Sequence, residues 1–200
     1  MKTSNRIILV TIINTATAAT ALAQGTVVFE NSFSTGNITL NSSAGAYAAA
    51  GSYTVALLWA PGNTLGLPQG AFTQIATFGP AGTSTGYFFD GVVTTPNGTA
   101  PGATAVFEVQ GWQGNYVNYA AAFGGTGRVG QSAEFLNATG GAGSPPGNPV
   151  YLTIGNGGGW DGNLILTFGD PEPSTLAIAG LGAGVWLYFR RRNAVLKKAQ

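Results

Sequence analysis

Short apolar runs with a period of two, separated by glycine- and asparagine-containing turns, restrict the fold of this chain more than any other feature. One face of the run at 52–59 is apolar: Tyr53, Val55, Leu57 and Trp59. The run at 104–112 repeats the pattern, with Ala105, Phe107 and Val109 on one face. This alternation is typical of β-strands that bury one side. We therefore expect Trp59 to lie in the core, and Glu108 and Gln110 to lie on the opposite face of their strand.

Similar runs recur along the chain at 26–29, 72–78, 87–93, 150–154 and 164–168. No segment between them shows a sustained apolar stripe at the helical spacing of 3.6 residues. The pattern predicts an all-β fold, an antiparallel β-sandwich of about seven to nine strands. The glycine-rich stretch at 124–147 predicts a long loop, and the alanine-rich stretches at 44–50 and 119–123 predict a turn of helix each.

The amino-terminal segment has the composition of a secretory signal peptide. Lys2 and Arg6 precede an apolar stretch at 7–13, and small residues follow, ending with Ala21-Leu22-Ala23. An Ala-x-Ala ending predicts cleavage before Gln24, after export by the Sec machinery. Residues 1–23 are therefore predicted to be a signal peptide.

The carboxy-terminal segment combines a polar turn, an apolar run and a basic end. The turn is Pro171-Glu172-Pro173, residues 176–189 carry no charge, and the cluster Arg190-Arg191-Arg192 begins a basic tail at 190–198. The uncharged run would span only about 21 Å as a helix, against a hydrocarbon core of roughly 30 Å. Extension of the helix to about 174–189 and snorkelling arginines predict a single transmembrane helix. The positive-inside rule places the basic tail in the cytoplasm and the rest of the protein on the opposite side.

In order and composition, residues 171–200 resemble a PEP-CTERM sorting signal, as found on exported proteins of Gram-negative bacteria. The resemblance implies that an exosortase cuts a single-pass membrane precursor near Pro-Glu-Pro, and that the mature protein is released or re-anchored in the envelope or outside the cell. The exported part also resembles an uncharacterised group of such proteins, at 24–29, 86–88, 101–109 and 130–135. That second resemblance brings no known activity.

Once the two terminal segments are set aside, residues 24–170 form the predicted exported domain, and its charge is acidic. It has one basic residue, Arg128, and a net charge of −5 from six acids: Glu30, Asp90, Glu108, Glu134, Asp161 and Asp170. A domain with one cation cannot neutralise a phosphate backbone, so nucleic-acid binding is excluded. The chain has no cysteine, so packing and hydrogen bonds alone must hold the domain together.

The residue types exclude most catalytic chemistry. The chain has no histidine and no cysteine, and residues 24–170 contain no lysine. Ser-His-Asp, Cys-His and Schiff-base catalysis are therefore excluded, and we expect no metal, no cofactor and no enzymatic activity. The one remaining catalytic option is a glycosidase that uses two carboxylates. The candidates by residue type are Asp90, Glu108, Glu134 and Asp161.

Two classes of function remain open for the exported domain. The first is a structural or interaction protein of the envelope or extracellular matrix, since the family resemblance links such tails to bacteria that produce exopolysaccharide. The second is a module that binds extracellular polysaccharide. We expect Trp112 and Trp160 to be exposed in glycine-rich turns, where indole rings can stack on sugars. Tyr116 would add a second ring, and Asp161 and Asn163 would orient sugar hydroxyls.

Overall fold

The computed structural model describes residues 24–32, 34, 36–141 and 147–169, without the side chain of Asn156. The predicted signal peptide (1–23) and sorting segment (171–200, with the helix at 174–189) lie outside these residues. Within the described ranges no helix is long and apolar enough to cross a membrane. The described residues form eleven strands, one five-residue α-helix and three short 3₁₀ turns.

In chain order, the first six strands are β1 (Gly25–Glu30), β2 (Ile38–Leu40), β3 (Tyr53–Pro61), β4 (Thr73–Phe78), β5 (Phe89–Thr94) and β6 (Thr104–Gln113). The helix α1 (Tyr119–Phe123) follows. The last five strands are β7 (Arg128–Gln131), β8 (Phe135–Ala138), β9 (Gly140–Gly141), β10 (Val150–Tyr151) and β11 (Leu164–Phe168).

The strands form two sheets. The smaller sheet has the order β10-β1-β5, and β9 also pairs with β1. The larger sheet has the order β2-β11-β7-β6-β3-β4, and β8 pairs with β6 beyond the end of β7. Its centre is the antiparallel pair of β3 and β6, which are in register from Tyr53 opposite Gln113 to Pro61 opposite Ala105.

The main core lies between the facing sides of the two sheets. Val27 and Phe29 of the smaller sheet join one apolar cluster with the inward residues of β3 and β6. The aromatic rings of this cluster pack closely, and the ring centroids of Phe29 and Phe88 lie 4.7 Å apart. The predicted inward faces at 53–59 and 105–109 are therefore confirmed, and so is the burial of Trp59.

A second, smaller apolar cluster covers the outer side of the larger sheet. Its buried members are Ala56, Leu58, Trp112, Ala122 and Val129. The helix α1 supplies Ala122, and Asn118 caps the helix because its side chain accepts a hydrogen bond from the backbone N–H of Ala121. Both faces of β3 and β6 are thus buried, which one-sided alternation does not predict.

The predicted all-β class is confirmed, and two packed sheets are consistent with a β-sandwich. Most of the strand pairs are antiparallel as predicted, and the exceptions are β10, which runs parallel to β1, and β2, which runs parallel to β11. The described residues also contain more strands than the seven to nine predicted. The helical turn at 119–123 is present as α1, whereas 44–50 forms turns and a single bridge and no helix.

The stretch at 124–147, for which the sequence predicts that it contains a long loop, includes the strands β7, β8 and β9. Close packing explains the glycine in β7, since a Cβ at Gly130 would collide with the backbone oxygen of Ile165 in the neighbouring strand. The Ser132 hydroxyl then accepts a hydrogen bond from the Val109 N–H at 2.9 Å. Gly130 therefore allows two strands to approach closely and does not mark a loop.

Candidate functional site

Trp112 lies near the end of β6 and is buried, with 2% of its surface exposed. Its indole N–H donates to the backbone oxygen of Tyr116 at 3.0 Å, and the ring packs in the cluster under α1. The expectation that Trp112 is exposed is therefore wrong. The physical reason is that α1 folds back over the outer face of the sheet and covers the indole.

Trp160 is also buried, with 3% of its surface exposed. Its ring lies between Phe88 and Phe135, with centroids at 6.2 and 6.5 Å. The indole N–H donates to the backbone oxygen of Asn163 at 3.2 Å. The predicted exposure is wrong here too, because the glycine-rich turn bends the indole inward to close the end of the core.

The predicted sugar-binding residues fall into two separate groups. Tyr116 is half-buried beside Trp112, and its hydroxyl lies 3.2 Å from the hydroxyl of Thr126. Asp161 and Asn163 lie beside Trp160 along a cleft of about 480 Å³. The two tryptophans belong to different apolar clusters, so no common stacking platform forms.

The polar atoms of Asp161 and Asn163 hold the loop together. The Asp161 carboxylate accepts from the backbone N–H of Asn163 at 2.9 Å and from its side-chain amide at 3.0 Å. The Asn163 oxygen accepts from the Asn37 N–H at 3.0 Å, which ties the loop to the segment before β2. These groups stabilise the connection between strands, and their hydrogen-bonding capacity is largely used within the protein.

The candidate carboxylates occupy unrelated settings. Glu134 accepts hydrogen bonds from the backbone N–H groups of Gly66 and Leu67 at 2.5 and 3.3 Å, so it anchors the loop after β3. Asp90 lies on β5 in the smaller sheet, where burial raises the pKa of its carboxyl. No three potential metal ligands of the acid, histidine or cysteine type cluster anywhere in the described chain.

Glu108 is the most distinctive polar group of the domain. It lies on the strand face opposite the main core, as predicted, yet only 1% of its surface is exposed. Three glutamine amides donate to its carboxylate: Gln69 at 2.8 Å, Gln110 at 3.0 Å and Gln131 at 2.8 Å. We call these four side chains the amide cluster.

Burial raises the pKa of the Glu108 carboxyl, and the negative charge of Glu134 raises it further. The three amide hydrogen bonds act in the opposite direction, because they favour the ionised form. Sequence reasoning missed the amide cluster, since its members come from a loop and two strands: 69, 108, 110 and 131.

The described chain begins at Gln24, so Ala21 and Ala23 of the predicted cleavage site lie outside it, as do Pro171, Glu172, Pro173, Arg190, Arg191 and Arg192. Comparison with protein families bears on the carboxy-terminal segment. The PEP-CTERM protein-sorting motif matches residues 171–192. Neither the comparison with curated proteins nor that with solved structures gave a match to the chain.

The family match coincides with the segment that the sequence singled out, from the Pro-Glu-Pro turn to the last arginine of the cluster. It indicates an exported protein whose membrane-anchored precursor is processed by an exosortase. The similarity of residues 24–170 to other exported domains remains a prediction. The chain thus carries a PEP-CTERM protein-sorting motif at its carboxy-terminal end.

Proposed function

We propose that the domain at 24–170 is a structural or interaction protein of the cell envelope or extracellular matrix, without catalytic activity. Its signal peptide directs Sec export and is removed before Gln24. Its carboxy-terminal helix holds the precursor in the inner membrane, with the basic tail in the cytoplasm, until the exosortase cuts near Pro173. The match of the sorting motif to 171–192 is the observation that carries this proposal.

The position of the motif supports the proposed processing. The last strand, β11, ends at Phe168, and the motif begins at Pro171. A cut near Pro-Glu-Pro would therefore leave both sheets complete. A domain that must survive removal of its membrane anchor needs this separation between fold and sorting signal.

The chemistry of the domain supports a role without catalysis. The chain has no histidine or cysteine. A glycosidase would need two neighbouring carboxylates, and three of the four candidates already make structural hydrogen bonds. Glu134 anchors a loop, Asp161 closes a turn and Glu108 is enclosed by amides. Sugar binding by stacking on Trp112 and Trp160 has no support, because both indoles are buried.

Intact-mass analysis of the protein expressed in a host with and without its exosortase tests the proposal. We expect a species that begins at Gln24 and ends near Pro173 when the exosortase is present, and a retained carboxy terminus when it is absent. Glu172→Gln should block processing. The matched control Asp90→Asn makes the same kind of change in the domain and should be processed normally. A full-length carboxy terminus in the presence of the enzyme would refute the sorting role.

A further inference from the structure

We propose that the cleft beside the amide cluster binds an uncharged polyhydroxylated ligand, such as a segment of neutral polysaccharide. The cleft has a volume of about 360 Å³ and lies on the outer side of the larger sheet. That volume falls within the range of small-molecule sites, about 300 to 1,000 Å³. The polar side chains that line the cleft are Gln69, Gln74, Gln110, Asn118, Tyr119 and Gln131.

The walls of this cleft offer neutral donors and acceptors on side chains held in place. Gln69 and Gln131 each donate once to Glu108, and an amide nitrogen has a second hydrogen to give. The Gln110 amide nitrogen also lies 3.4 Å from the Gln69 oxygen and 3.3 Å from the Gln131 oxygen. The buried carboxylate thereby fixes three amides in one orientation, which lowers the entropy cost of binding.

Several polar atoms of the cleft have no hydrogen-bond partner within the described part of the chain. They are the side-chain oxygens of Gln74 and Gln110 and the side-chain nitrogen of Asn118, because the hydrogen bonds of each amide within the described residues use its other polar atom. The other atoms of these amides are used, since Gln74 donates to Thr77 and Asn118 caps α1. The cleft therefore combines spare acceptors with spare donors, the pairing that vicinal hydroxyl groups satisfy.

The cleft also has an apolar side. Tyr119 is half-buried there and its ring stacks on Phe123 at 6.4 Å between centroids, with the planes 17° apart. Ala120 and Leu58 complete the lining. An aromatic ring next to amides suits a sugar, which presents C–H faces and hydroxyl edges together.

The charges around the cleft disfavour anionic and cationic ligands. Arg128, the one basic residue of 24–170, bonds to Gln113 and Asn41 and does not line the cleft, so an anion would meet Glu108 without a compensating cation. A cation is disfavoured because amide N–H donors occupy the carboxylate oxygens. A neutral ligand avoids both costs.

This inference rests on the proposed interaction role, and its test does not depend on sorting. Full-length protein in mild detergent is run through native gels that contain dextran, a galactomannan or a β-glucan, with polygalacturonate as the anionic comparison. We expect retardation by at least one neutral polymer and none by polygalacturonate. No retardation in any neutral gel, or equal retardation in the anionic gel, would overturn the proposal and leave the sorting role intact.

Two variants test whether the ligand binds in the cleft. Gln74→Ala changes an exposed residue that does not touch Glu108, and Tyr119→Ala removes the aromatic wall. Each should weaken retardation about fivefold or more, roughly 1 kcal/mol of binding free energy. The matched control Gln113→Ala removes a glutamine of the same strand as Gln110 that bonds to Arg128 and Ser52 outside the cleft. If Gln74→Ala and Tyr119→Ala fold and bind like the wild type, the ligand binds elsewhere and the assignment of the cleft is wrong.

Discussion

Strands β3 and β6 bury both of their faces, and the two faces do so by different chemistry. The inner face is apolar and packs against the second sheet, with Leu57 and Phe107 fully buried. The outer face mixes Leu58 and Trp112 with the buried carboxylate of Glu108. The inner face is closed by a sheet, whereas a loop and a five-residue helix close the outer one. We conclude that alternation along a strand identifies a core face and leaves the state of the opposite face undetermined.

The largest expected effect comes from replacing the neighbouring leucines Leu57 and Leu58, which point to opposite faces of β3. Replacing a buried leucine with alanine costs about 2 to 5 kcal/mol, depending on how far the site can collapse. We expect Leu57→Ala near the upper end of that range, because it lies between two sheets, and Leu58→Ala near the lower end. Urea unfolding of the full-length protein followed by circular dichroism measures both. An equal or greater loss for Leu58→Ala would mean that the outer face is packed as rigidly as the core.

A smaller effect is expected for the polar group of the inner face. The Tyr53 hydroxyl lies within hydrogen-bond distance of the backbone oxygens of Ser84 at 2.9 Å and Tyr87 at 2.7 Å, to one of which it donates, and burial raises the pKa of its phenol. Tyr53→Phe should therefore cost about 1 kcal/mol in the free energy of unfolding. Tyr47→Phe is the matched control, since that residue is 51% exposed and should change the urea midpoint little. A neutral result for Tyr53→Phe would mean that water replaces the hydroxyl without loss.

The smallest expected effect is a pH dependence of the folding stability that comes from Glu108 on the outer face. Because burial raises the pKa of Glu108 above its ordinary value of 4.5, protonation of this carboxyl is more favourable in the folded state than in the unfolded chain. The resulting stability is fully present below pH 4.5 and is lost as pH rises through the folded pKa. Glu108→Gln cannot ionise, so the stability of the wild type relative to this variant should fall as pH rises from about 4 through the raised pKa of Glu108.

The comparison with Glu108→Gln is needed because burial also raises the pKa of Asp90, which shifts the wild type in the same direction. Both proteins retain Asp90, so its contribution cancels in the difference. Urea midpoints of the two proteins across this pH series provide the measurement. A difference that stays constant with pH would show that the amide hydrogen bonds offset the burial of the carboxylate.

The long strands were predictable because their apolar positions are local information. The predicted run at 52–59 corresponds to β3, and the predicted run at 104–112 corresponds to β6. The missed strands β2, β7, β8 and β9 are two to four residues long. They are held by neighbours distant in sequence, as β2 is by β11. Runs this short carry too few positions for a period to be recognised.

The candidate site was less predictable, because side-chain burial is a tertiary property. Trp112 and Trp160 are next to glycines in the sequence, and neighbours that fold over them bury both indoles. The amide cluster joins residues up to 62 positions apart, from Gln69 to Gln131, and no local pattern marks it. By contrast, the sorting motif at 171–192 is a contiguous signal, and the sequence alone was enough to find it.

The single basic residue of the exported domain has a consequence for its lifetime outside the cell. Proteases that cut after lysine or arginine have one position available between 24 and 170, Arg128. That residue opens β7, which is hydrogen-bonded to β6 on one side and β11 on the other, and its guanidinium lies 4.1 Å above the ring of Phe168. A protease needs an extended, unpaired segment, so digestion at Arg128 must wait until the sheet opens. The scarcity of positive charge thus leaves trypsin-like proteases a single site in the domain, and the sheet protects that site.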